Sequence, residues 1–180
     1  MTASVAGSER AIDDLSNAEP AAPNGCRWEA VSDRVMGGVS VPALARGTVA
    51  GRPAQRLTGR VRLDNDGGFL QMALDLAPGR APVDASAWTG IRIAVFGNGE
   101  SYDLRLRTAD IERPWQSYRQ GFEAPADWRT IDLPFADFVP NKIDRPFDPS
   151  RLTRLGLLAI GREFEADLAL GWIGFYRAGA

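Results

Sequence analysis

The stretch QRLTGRVRLDNDGGFLQMALDL, Gln55 to Leu76, sets the fold class. In its first half Leu57, Gly59, Val61 and Leu63 alternate with Arg56, Thr58, Arg60 and Arg62. In its second half Leu70, Met72, Leu74 and Leu76 alternate with Gln71, Ala73 and Asp75. A period of two belongs to extended chain, whose successive side chains face opposite sides of a sheet. Two such runs joined by a short turn bearing Gly67 and Gly68 read as a β-hairpin.

The same pattern continues downstream. Ile91 to Phe96 and Tyr102 to Thr108 flank Gly97-Asn98-Gly99-Glu100, a second hairpin signal. Gln116 to Phe122 and Trp128 to Leu133 flank Ala124-Pro125-Ala126-Asp127, a third. Leu155 to Ile160 is a short continuous apolar run, and Leu168 to Tyr176 closes the chain. About eight or nine strands with frequent turn signals predict an all-β fold, an antiparallel β-sandwich of jelly-roll type. Residues 1–10 are small and polar and are expected to be a disordered tail. Residues 11–180 are then one domain, interrupted by a long irregular connection from Pro134 to Ser150.

Composition narrows the function classes. The chain has 180 residues and a net charge of −2, which argues against nucleic acid as a partner. There is no histidine, so the commonest general base and metal ligand are missing, and with them the Ser-His and Cys-His nucleophile pairs. A single cysteine, Cys26, allows no intramolecular disulfide and fits a reducing compartment. No apolar run reaches the length of a membrane span, and the N-terminus lacks the pattern of a signal or transit peptide. The expectation is a cytoplasmic protein with no membrane insertion, no metal and no cofactor. Of the 21 basic residues 20 are Arg, with Lys142 the one Lys, which reflects either a GC-rich genome or bidentate recognition of carboxylate or phosphate.

Candidate site residues come from strand faces and turns. Arg105 and Arg107 alternate with Leu104 and Leu106, so both project from one sheet face beside Asp103. Gln116, Tyr118 and Gln120 are expected on one face of the next strand, making a polar patch fit for a sugar or a carboxylate. The plain alternative is a solvated outer face. Asp33 precedes Met36, Gly37 and Gly38 in WEAVSDRVMGGVS, and would pair with Arg105 or Arg107 if that turn folds onto the sheet. Met36 is expected as a core plug, and the glycine pairs Gly37-Gly38 and Gly67-Gly68 as close-approach points. Phe135, Phe138 and Phe147 crowd the long connection and mark either a partner-binding patch or core beneath the sandwich end. Trp28, Trp88, Trp128 and Trp172 are expected in the core and Trp115 exposed.

These blocks resemble a known family. WEAVSDRVMGGVS, NDGGFLQM, TGIRIAVFGNGESYDLRLR and YRQGFEAPADWRTIDLPFADFVP, in that order, are similar to the domain of the complex I intermediate-associated protein 30 (CIA30) family. The resemblance implies a galactose-binding-like jelly roll and a non-catalytic role. In the mitochondrial relatives that role is assembly of respiratory complex I (NADH:ubiquinone oxidoreductase) through membrane-arm intermediates. The chain looks like a bacterial relative of little more than the bare domain. The expected partner is therefore a protein, such as respiratory complex subunits, met in the cytoplasm or at the inner membrane. The alternative is a small-ligand or carbohydrate-binding module. An enzyme would have to rest on carboxylates alone.

Overall fold

Alternation assigns side chains to faces but leaves open which sheet each strand joins. In the computed structural model, which describes residues 8–179, two antiparallel sheets pack face to face. The first runs β3 (Ala43–Val49), β4 (Arg52–Val61), β12 (Phe164–Tyr176), β6 (Gly90–Phe96) and β9 (Arg129–Pro134), and β1 (Glu9–Asp13) also pairs β12. The second runs β10 (Val139–Asn141), β8 (Ser117–Ala124), β7 (Glu100–Thr108), β11 (Leu152–Ile160), β5 (Phe69–Asp75) and β2 (Glu29–Ser32). The expected all-β sandwich is the observed architecture, and its regular helical pieces are single 3-10 turns.

The core lies between the sheets. Leu57 and Val61 of β4, Leu70 and Met72 of β5 and Leu104 and Leu106 of β7 are fully buried. Each such side chain stabilises the fold by about 1.5–3 kcal/mol relative to exposure. Trp28 is buried as expected, while Trp88, Trp128 and Trp172 are half-buried at the margins.

The three expected hairpins are not hairpins. Each of the links β4–β5, β6–β7 and β8–β9 crosses from one sheet to the other. Alternation fixes a strand's buried face, and a glycine-bearing turn serves equally well to cross a sandwich edge. The hairpins lie elsewhere: β7–β8 closes through the 109–116 loop, and β3–β4 turns tightly through Ala50 (φ 45°) and Gly51 (φ 79°). Positive φ at both central residues is the geometry that matches the twist of paired strands.

Other boundaries also shift. Residues 1–7 of the expected tail lie outside the described residues, whereas Glu9 and Arg10 are already in β1. The Pro134–Ser150 connection contains the short edge strand β10, paired with β8. Phe135 and Phe138 are buried and Phe147 is half-buried, so they are not an exposed partner patch. Phe147 lies 5.0 Å from Tyr118, 5.5 Å from Phe135 and 5.7 Å from Phe138, ring to ring. These rings close the sandwich end under the connection. Among the described residues no helix is long and apolar enough to cross a membrane.

Candidate functional site

The outer face of the second sheet carries a groove of about 830 Å³. Its lining comes from all six strands, from Val31 on β2 to Asn141 on β10. One wall is the 3-10 turn Asp33–Met36, which presents Val35 and Met36 outward, 74% and 59% exposed. The other is the β7–β8 loop with Pro114 and Trp115, the latter 55% exposed. Gly156 lies in the floor, where Gln71 folds so close that a Cβ would sit 2.6 Å from its amide nitrogen.

The floor is rich in donors. Arg105, Arg107 and Arg154 line it, with Arg80 and Lys142 also contributing, against one acidic lining residue, Glu112. Arg154 is spoken for: it lies 2.6 Å from Asp75 and 3.1 Å from Glu29. Arg105 contacts Asp103 at 3.2 Å through one terminal nitrogen, while its buried Nε has no partner among the described residues. The Ser117 hydroxyl, also lining the groove and also buried, is equally without a partner among the described residues. Arg107 donates to the Pro114 carbonyl at 3.2 Å and meets no carboxylate among the described residues. Burial first, and then the charges of Arg80 and Arg154, hold its guanidinium below the ordinary arginine value.

The Val35–Met36 wall is fixed from behind by Asp33. This carboxylate is fully buried and accepts from Ser40 N (2.9 Å), Ser40 Oγ (2.5 Å), Gly68 N (2.6 Å) and Phe69 N (3.3 Å). Burial pushes its pKa up, but the hydrogen bonds from Ser40, Gly68 and Phe69 outweigh that and hold it below the ordinary value. The glycine pairs divide their work. Gly37 and Gly68 take positive φ (87° and 131°), which L side chains rarely adopt. A Cβ on Gly38 or Gly67 would stand 2.5 Å or 2.7 Å from the Asp33 carboxylate. One glycine of each pair bends the chain and the other leaves room for the shared hub.

The sequence-predicted residues thus separate. Arg105, Arg107 and Gln116 line the groove together, and Trp115 is exposed as expected. Asp33 pairs with neither arginine. Its turn folds beside the sheet, and the carboxylate faces backbone donors instead. Met36 is a groove wall rather than a core plug, because the turn that points Asp33 inward points Met36 out. Tyr118 does not line the groove. It is fully buried opposite Leu106, and its hydroxyl donates toward the carbonyls of Arg145 and Pro146 (3.1 and 3.3 Å). Gln116 precedes β8 and spends its carbonyl oxygen on the backbone N–H groups of Glu112 and Arg113 (3.1 and 3.0 Å), which shapes the Trp115 loop. Sequence reasoning missed Ser117, Gln71 and Arg154. A signal was present for Ser117: Arg119 and Glu123 alternate with Tyr118, Gln120 and Phe122, which sets the outward register of β8.

A smaller hollow of about 430 Å³ on the first sheet is lined by Arg52, Arg92, Asp132 and Trp172 among others. Its arginines are engaged: Arg92 with Asp132 and Glu9, and Arg52 over the Trp128 ring at 5.0 Å. Among the described residues no group of three or more His, Cys, Asp or Glu side chains could hold a metal ion.

Comparison with known proteins bears on both fold and family. The model of the family described as complex I intermediate-associated protein 30 (CIA30) matches residues 18–170. The fold is similar to a family 11 carbohydrate-binding module of a cellulosomal cellulase of Clostridium thermocellum. The TM-score is 0.73 at 13% identity, covering 94% of this chain and 95% of that one. The Clostridium thermocellum family 11 module in complex with a β-1,3-1,4-mixed-linked tetrasaccharide gives 0.71 at 14% identity, over 94% and 96%. A family 30 carbohydrate-binding module gives 0.62 at 19% identity, over 84% and 83%. At such identities the likeness carries the jelly-roll fold and not the ligand. No curated protein matches the chain closely enough to count as a relative.

Proposed function

The chain belongs to the complex I intermediate-associated protein 30 family, and from that premise we propose that it is a non-catalytic docking module for a partner polypeptide in the assembly of respiratory complex I. The observation that carries the reading is the groove on the second sheet, with Val35, Met36 and Trp115 standing exposed around an arginine-bearing floor. Exposed apolar and aromatic side chains gathered at a concave face are what a protein partner can bury. The walls are anchored from behind, by the Asp33 hub on one side and by Gln116 and Arg107 on the other. Such anchoring lowers the ordering cost of binding.

The test has two arms. Affinity capture with the tagged full chain should recover complex I subunits, and a deletion strain of the source organism should accumulate less assembled complex I. Normal complex I in the deletion strain, with no subunit captured, sinks the reading. A second reading, a carbohydrate-binding module, is favoured by the fold likeness and by the amides of Gln71, Gln116 and Asn141 in the same groove. A glycan array with the full chain decides it: a specific glycan hit lost on Trp115→Ala would replace the assembly reading.

A further inference from the structure

The groove floor holds two buried polar groups without partners among the described residues, Arg105 Nε and Ser117 Oγ. Buried polar groups are as a rule hydrogen-bonded, so two left without partners inside a groove call for a partner from outside. Arg107 lies two residues along β7 from Arg105, and both Arg107 and Ser117 adjoin the last pair of the β7–β8 register, Leu106 with Tyr118. The Arg107 side chain donates to a backbone carbonyl, and the charges of Arg80 and Arg154 act on it against the smaller opposing one of Asp75.

We propose that Arg105, Arg107 and Ser117 form a carboxylate subsite, which takes an Asp or Glu side chain of an extended peptide laid across the groove. This rests on the docking reading above and names what the groove recognises. A carboxylate accepts only, and a guanidinium meets it with directed, charge-assisted bonds. Arg105 and Arg107 can only donate, which suits a carboxylate better than a hydroxyl, and Gln116 has already spent its carbonyl oxygen on the loop. The walls fit the rest of a peptide. Met36 is a flexible, polarisable surface that adapts to apolar side chains, and Trp115 is a rigid one. The groove crosses the whole sheet. Six strands at about 4.8 Å spacing give roughly 24 Å, the span of about seven extended residues.

The test pans a random dodecapeptide phage library on the immobilised full chain. Enriched peptides should carry Asp or Glu within about three residues of an aromatic or large aliphatic residue. A synthetic copy of the best one should bind about tenfold more weakly when its acid is changed to the amide, a measurement that uses only the unmodified chain. Arg107→Gln should weaken it about as much, Ser117→Ala less, and added salt should weaken it further. Enrichment without an acidic residue, amide and acid peptides of equal affinity, or no enrichment at all overturns the proposal. So does hexagalacturonate bound by the chain and lost on Arg107→Gln, which would make the occupant an acidic glycan. The two readings fail separately. Lost peptide binding with normal complex I in cells carrying Arg107→Gln overturns assembly and keeps the subsite. Reduced complex I with intact peptide binding does the reverse.

Discussion

The two outer faces of this sandwich are both rich in arginine, and they use it in opposite ways. On the first sheet Arg56 grips Asp167 through two bonds (2.7 and 2.5 Å), Arg60 meets Glu165, and Arg92 grips Asp132 (2.6 and 3.0 Å) with Glu9 alongside. On the second sheet Arg105 and Arg119 stand directly opposite each other, and Arg107 shares its surroundings with Arg80 and Arg154. Like charges directly opposite one another across strands destabilise a sheet. A charged face that satisfies itself is a solvated surface; one that pairs Arg80, Arg105 and Arg154 but leaves Arg107 without a carboxylate, and the buried Arg105 Nε and Ser117 hydroxyl without partners among the described residues, is arranged for something else. The abundance of Arg in the sequence could not separate these, because the difference lies in where the acids fall.

The largest expected effect comes from removing what holds the second face in shape. Asp33→Ala orphans the donors of Ser40, Gly68 and Phe69. It should cost about 3–5 kcal/mol, or roughly 10 °C in Tm for a chain of this size. Thermal unfolding by circular dichroism checks it. A loss under about 1 kcal/mol would mean the glycine turns hold without their hub. The same carboxylate sets an acid dependence. Its folded pKa lies below the ordinary 3.8, so its stabilisation is complete above that value and is lost as pH falls through the lower folded one. The stability gap between wild type and Asp33→Asn should therefore be constant from pH 7 to about pH 4 and close below it. A gap unchanged down to pH 2 would remove Asp33 as the titrating group.

The first face was nearly invisible in the sequence, and the second partly legible. Period-two alternation located the strands and gave β7 its outward arginines, since Leu104 and Leu106 must go inward. It could not assign strands to sheets, because β4 and β5 obey the same alternation whether they pair or cross. It also left the register of β8 open, so Tyr118 was expected outside with Gln116, although Arg119 and Glu123 claim that side. Asp33 stood out because it sits beside the glycine pair. Asp13 did not, yet it is equally buried and accepts from Leu15 N, Trp28 Nε1 and Arg46 Nη2 (2.8, 2.8 and 2.6 Å). Its partners lie up to 33 residues away, and no local motif announces contacts at that range.

A middling effect separates binding from folding on the second face. Trp115→Ala removes an exposed ring that has the Arg113 guanidinium 5.9 Å from its centre. Stability should stay within about 0.5 kcal/mol, as for exposed positions generally. Affinity for a groove ligand should fall about tenfold or more, as for an aromatic anchor. Calorimetric titration with a selected peptide measures the second, and denaturant unfolding the first. A drop in stability without a drop in affinity would make Trp115 a loop prop.

The smallest effect is the sharpest on the comparison itself. Arg92→Gln breaks a two-bond pair with Asp132 on a partly exposed face, and should cost about 0.5–1 kcal/mol. Arg107→Gln breaks no ion pair. Gln keeps an N–H for the Pro114 carbonyl, and the change removes a half-buried charge that Arg80 and Arg154 repel. Its Tm should stay level or rise by a degree or two. Replacing a residue that serves binding at the expense of the fold commonly has that sign. Measured side by side in low salt, Arg92→Gln should lower Tm and Arg107→Gln should not, and high salt should shrink the gap. If Arg107→Gln destabilises as much as Arg92→Gln, Arg107 is a structural residue like the others, and the two faces differ only in pattern.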